Sequence, residues 1–242
     1  MNNGKRWLEL VNKLESLEGN KILGKLKHLS ISQYTFNRNF SELINLIRIY
    51  EKDLSIWSIE NRQKLDALQR EFLRLLHNYL SSVYSLIQHT YVFRDNLKND
   101  EFKKLYEEEA KKFKVDEIMT FIQDLRTYTQ HYKLPISKAS ISFERIDKDI
   151  NKEMISKQEL LLDKKELLKW EKWTAPSKKY LSNQTKDIKL KDLITDYYDK
   201  IQAFYLDLYK KVSLLYEKEI KEYLITEREI IEIEKTVDNK ND

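Results

Sequence analysis

Two side chains in this sequence have the types needed to hold and cut a phosphodiester: Arg126 and His131, in the segment 116–135, DEIMTFIQDLRTYTQHYKLP. Arginine stays charged at any working pH and offers a planar fork of donors that matches phosphate oxygens. Imidazole titrates near neutrality and can give or take a proton there. Thr127 and Gln130 add hydrogen-bonding groups between them. The same residues have plainer uses, since Arg126 can pair with Asp124 or Asp116 and His131 can cap the last carbonyls of a helix. Five residues at about 100° each also place the two roughly 140° apart around a straight helix. Convergence then needs a long arginine reaching round, a loosened last turn, or a second subunit that supplies the partner group.

The element that must carry them is a helix with one buried face, because Ile118, Phe121, Ile122, Leu125 and Tyr128 recur at helical spacing. Pro135 disfavours helical geometry at Leu134, so the helix stops around 132–134 and His131 falls in its last turn. Around it the spacing predicts further helices. The first carries Trp7, Leu8, Leu10, Val11, Leu14 and Leu17, with Gly19 as its stop. A second covers about 39–54, and a long rod covers about 58–96 on a stripe that includes Phe72, Leu75, Tyr79, Val83 and Phe93. A shorter one follows at about 101–113, capped by Asn99 or Asp100.

After Pro135 the pattern changes to alternation at Ile141, Phe143 and Ile146, and 154–157 can return beside it as a β-hairpin. Ser156 with Glu159 reads as a capping box that opens a helix on Leu160, Leu161 and Leu162, closed by Trp170 and Trp173. Thr174 before Pro176 starts a short helix through Leu181. The last helix begins near Lys189 and runs on Leu193, Tyr197, Ile201, Leu208 and Val212, then more weakly on Ile220 and Leu224. The expected fold is therefore all-α: an antiparallel bundle of long helices in one domain, 1–235, with a small insertion at 136–185 and a disordered polar tail at 236–242.

Composition narrows the chemistry. Three glycines and two prolines in 242 residues fit a helical protein, and the absence of cysteine removes disulfides, thiolate metal sites and thiol nucleophiles. The net charge of +4, from 44 basic against 40 acidic residues, permits nucleic-acid binding without arguing for it. No apolar run reaches the roughly 18 residues that span a bilayer, and the first residues carry no apolar signal region, so a cytoplasmic protein without membrane contact is expected. The segment 19–26, GNKILGKL, lacks both the hydroxyl residue and the preceding strand of a phosphate-binding loop. His77 and His89 stand twelve residues apart in no metal-ligand spacing and are expected at core or boundary positions. No cofactor or metal is expected.

With Leu125, Arg126, Tyr128 and His131 set before Leu134 and Pro135, the stretch LRTYTQH…LP resembles the motif of the HEPN superfamily, in which four to six residues separate an Arg from a following His. The resemblance implies a helical bundle and a homodimer in which two motifs meet across a cleft and cut RNA without metal. It further implies that His131 assists proton transfer while Arg126 stabilises the phosphoryl centre. Many members act as toxins or antiviral defence proteins, so an antitoxin or other protein partner is also implied. One departure is Thr127, where the family usually has Asn or another strongly polar residue. Arg70 and His77 also fit the spacing, but within a rod rather than at a helix end. Two rivals stay open: a non-catalytic helical module that binds a protein or nucleic acid, and a dimerisation protein whose interface uses Tyr197, Tyr198, Tyr205 and Tyr209.

Overall fold

Apolar stripes at three-and-four spacing bury themselves by helix packing. The computed structural model, which describes residues 3–53, 55, 58–135, 137–145 and 154–238, accordingly contains nine α-helices and one small antiparallel sheet among those residues. The order is α1 (Asn3–Ser16), α2 (Glu18–Lys52), a single 3-10 turn (Ile59–Asn61), α3 (Arg62–Leu97), α4 (Asp100–Val115) and α5 (Glu117–His131). Next come β1 (Ser137–Arg145), β2 (Met154–Leu162), α6 (Lys164–Leu167), α7 (Ala175–Asn183), β3 (Ile188–Lys189), α8 (Leu190–Leu215) and α9 (Glu217–Asp238). The all-α class with a small hairpin-bearing insertion is what the sequence predicts. No helix among the described residues is long and apolar enough to cross a membrane.

Where one unit is expected from the sequence, the contacts divide the chain into two. The first comprises Met1–Ile31, His89–Tyr106 and Phe204–Asp242. In it α1 lies antiparallel on α9 through Arg6 with Glu229 at 3.6 Å, Lys13 with Glu222 at 3.5 Å, and the Trp7 Nε1–H donating to Glu234 at 3.0 Å. Its core includes Ile22, Leu29, Phe93, Phe102, Tyr205 and Val212. Buried Thr90 and Tyr205 share a hydrogen bond between their hydroxyls.

The second unit comprises Ser32–Gln88 and Glu107–Ala203. Phe36, Leu43, Ile47, Tyr79, Phe121 and Tyr197 are sealed in its core. Phe40 stacks on Tyr198 at 3.8 Å and 9°. The sheet runs β1-β2-β3, with Ser137 opposite Leu162, Arg145 opposite Met154, and Leu162 opposite Ile188. Gln158, Leu160 and Leu162 bury one face of β2, while Glu159 pairs with Lys189 at 2.7 Å.

Several expectations need correction. Gly19 does not stop α1; it lies in the first turn of α2, which is helical from Glu18 and takes in the 19–26 segment. An added Cβ at Gly19 would stand 2.2 Å from the Glu219 carbonyl oxygen, so the glycine serves a close approach of α9 rather than a chain end. The Ser156–Glu159 spacing starts no helix, because all nine residues of β2 pair with β1; the helix there is α6 alone, capped by Asp163. The last helix breaks at Tyr216 into α8 and α9. His77 and His89 are exposed rather than at core or boundary positions. Of the expected polar tail, residues up to Asp238 are helical, and 239–242 lie outside the described residues, as does Ile146 of the hairpin pattern.

Candidate functional site

Helix α5 is fixed at its start by Asp116, whose Oδ1 accepts the Ile118 and Met119 N–H groups, both at 3.0 Å, while Oδ2 accepts from Lys200 Nζ. Burial pushes the Asp116 carboxyl up, but the Lys200 bond and the two backbone donors outweigh it and hold the group below its ordinary value. The buried face is Met119, Phe121, Ile122, Leu125, Tyr128 and Thr129. At the far end the Tyr132 and Lys133 N–H groups both donate to the Tyr128 carbonyl, at 2.9 and 3.0 Å, and the helix closes at His131.

Arg126 is half-buried, and its guanidinium carbon lies 3.9 Å from the centre of the Tyr84 ring of α3. That is close enough for a cation–π contact. Neither expected carboxylate meets it. Asp116 is committed to the cap and Lys200, and Asp124 Oδ2 accepts the Thr174 N–H at 2.9 Å and its hydroxyl at 2.7 Å. Among the described residues Arg126 has no acidic partner, and its Nε is buried without a hydrogen bond.

His131 and Gln130 are exposed in the last turn. His131 caps no carbonyl, having no hydrogen-bond partner among the described residues. Thr127 is half-buried and spends its hydroxyl on the Gln123 carbonyl at 3.3 Å. Among the described residues, both the guanidinium and the imidazole are thus uncommitted to protein acceptors. Both belong to one short helix, but they point to different sides of it by the roughly 140° that its pitch dictates.

Tyr84 is the partner that sequence reasoning misses. It sits one residue after the apolar stripe position Val83, and no local signal links it to a residue on another helix. A second missed feature is an aromatic stack at the end of α5. Tyr128 lies parallel to Trp173 at 5.5 Å and 13°, Trp170 meets Trp173 edge-on at 4.7 Å, and Tyr132 sits over Trp170 at 6.4 Å and 27°. The alternative pair behaves otherwise, since Arg70 and His77 are both exposed on α3 and the Arg70 Nε–H donates to the Asp66 carbonyl. Among the described residues no group of His, Asp or Glu is arranged to hold a metal ion. The tyrosines considered for an interface are largely spent inward, with Tyr197 and Tyr205 buried and Tyr198 and Tyr209 half-buried.

Comparison of the chain with protein-family models, with curated proteins and with solved structures finds no match in any of the three.

Proposed function

We propose that the chain is a metal-independent endoribonuclease of the type the HEPN resemblance implies, using Arg126 and His131 at a cleft formed by two copies. The observation that carries the reading is the half-buried Arg126 guanidinium, braced on Tyr84 and without a carboxylate partner among the described residues. A buried donor without an acceptor is costly, by about 1–3 kcal/mol, and a phosphate oxygen would relieve that cost. In the proposed reaction the ribose 2′-oxygen attacks its own phosphorus and the bond to the 5′-oxygen breaks. His131 moves the proton at one of these two oxygens, water exchanges the proton at the other, and the products are a 2′,3′-cyclic phosphate and a 5′-hydroxyl, while Arg126 offsets the charge on the crowded phosphoryl group. Thr127 and Gln130 are placed as polar helpers, although the Thr127 hydroxyl would first have to leave the Gln123 carbonyl.

The test is cleavage of single-stranded and structured RNAs in the presence of chelator by the natural chain and by Arg126→Ala and His131→Ala. Loss of about 100-fold or more in each variant is expected for a general acid–base and an electrostatic group. Undiminished cleavage by the variants, dependence on added metal, or no cleavage by the natural chain on any RNA would overturn the reading. One observation favours the non-catalytic alternative, a module that binds RNA or a protein. Within one copy the two side chains diverge around α5, and binding tolerates divergence that catalysis does not. Retention of RNA without turnover would select that module.

A further inference from the structure

We infer that Tyr132 is a stacking seat for one unpaired base of a single-stranded RNA, immediately beside His131. The inference rests on the reading that RNA meets this end of α5. Tyr132 is 53% exposed although its ring packs against both Tyr128 and Trp170. Its edge is held by Tyr128 at 5.2 Å and 61°, and behind it lies Trp170, only 8% exposed. Trp170 is locked in turn by Trp173, whose Nε1–H donates to the Leu167 carbonyl at 2.7 Å. The exposed ring is therefore presented on a rigid aromatic stack and loses little freedom on binding.

Charge decides what kind of flat partner it takes. Glu166 receives both Lys133 at 3.3 Å and Lys169 at 2.5 Å, so one carboxylate answers two ammonium groups. Asp163, whose charge also reaches Tyr128 and Lys169, is answered by Lys138 at 2.8 Å. Lys133 and the segment 163–172, which carries Trp170, together hold five lysines against the three carboxylates Asp163, Glu166 and Glu171, so the chain that builds the stack is net positive. Single-strand binding sites combine such charge, which follows the phosphates, with aromatic faces that take the bases in turn. An acidic protein segment would answer the lysines but would gain little from the open ring face.

The experiment is anisotropy of a short, fluorescein-labelled 2′-O-methyl RNA, which lacks the attacking hydroxyl, measured with the natural chain, Tyr132→Ala, Tyr132→Phe and, as a control at another open ring, Tyr34→Ala, whose side chain is 65% exposed. Stacking predicts about 10-fold weaker binding for Tyr132→Ala, retention by Tyr132→Phe and Tyr34→Ala, and weaker binding of the same sequence as a duplex. Equal binding by Tyr132→Ala and the natural chain overturns the inference, as does absence of binding. Displacement by polyglutamate as readily as by unlabelled oligonucleotide would assign the surface to an acidic protein instead. Cleavage assays on the same preparations keep the two proposals apart. Tyr132-dependent binding with no turnover sinks the ribonuclease and leaves the stacking seat, whereas cleavage and binding unchanged in Tyr132→Ala do the reverse.

Discussion

The Arg126 guanidinium lies over the Tyr84 ring while both carboxylates of its own neighbourhood are engaged elsewhere, Asp116 by the helix cap and Lys200, Asp124 by Thr174. An arginine kept only for structure ordinarily finds an acceptor for each buried N–H. Here the Nε has none among the described residues, so removing the guanidinium while keeping the apolar stem should disturb the fold little. Arg126→Met gives up a cation–π contact worth about 0.5–1 kcal/mol near the surface and relieves an unsatisfied donor worth about as much or more. Urea unfolding of that variant should stay within about 1 kcal/mol of the natural chain, while RNA cleavage falls about 100-fold or further. A destabilisation above about 2 kcal/mol with activity retained would make the arginine a structural residue. The partner ring could not be read from the sequence, because nothing local in α3 marks Tyr84 as the surface that receives Arg126.

Helix α5 shows how much of an element can be legible, and α2 how little. The five-member apolar stripe and Pro135 placed α5 and its end near 132–134, within a few residues of the observed His131, since face and stop are local signals, while the cap that Asp116 makes at its start emerges from the structure. The cap also gives a pH test. Asp116 is held below its ordinary value of 3.8, so the stability it adds is fully present above about 3.8 and is lost as pH falls through its lower folded value. Asp116→Asn keeps a good cap but not the Lys200 pair, and its unfolding curve should lose part of the acid dependence below about pH 4. An unchanged acid limb would show that the pair adds nothing. In α2, by contrast, Gly19 looked like a helix end because only contacts remote in sequence reveal why a glycine stands there. Gly19→Ala would drive a methyl into the Glu219 carbonyl, whereas Gly24→Ala meets nothing within 4 Å. Thermal unfolding should show the first destabilised by about 1–3 kcal/mol through overpacking and the second stabilised by about 0.5–1 kcal/mol through helix propensity. Equal effects at both positions would argue against the close approach of α2 and α9. The hairpin pattern showed the start of β2, 154–157, but its continuation to Leu162 was hidden for a related reason. Its Ser-x-x-Glu spacing and leucine run suit a helix locally, and only nine residues of pairing with β1 override them.

At the scale of the whole molecule, the divergence of Arg126 and His131 around α5 turns the catalytic proposal into a claim about copies. If the site is shared, the guanidinium of one protomer acts with the imidazole of its partner, and a twofold pair contains two such sites. Arg126→Ala and His131→Ala would each be inactive alone. Mixed after dissociation and reassociation, they form heterodimers in which one site draws its Arg126 from one chain and its His131 from the other. Random pairing makes about half of the dimers heterodimers with one intact site of two, so the mixture should recover roughly a quarter of the natural activity. Two residues acting from the same chain cannot be rescued this way, since every site in the mixture would lack one of them. A mixture as inactive as its components, at concentrations where the natural chain is dimeric, would therefore exclude the shared site. A natural chain that stays monomeric at micromolar concentration yet still cuts RNA would require α5 to bring both groups to one phosphate unaided, through a reaching arginine or an unwound last turn.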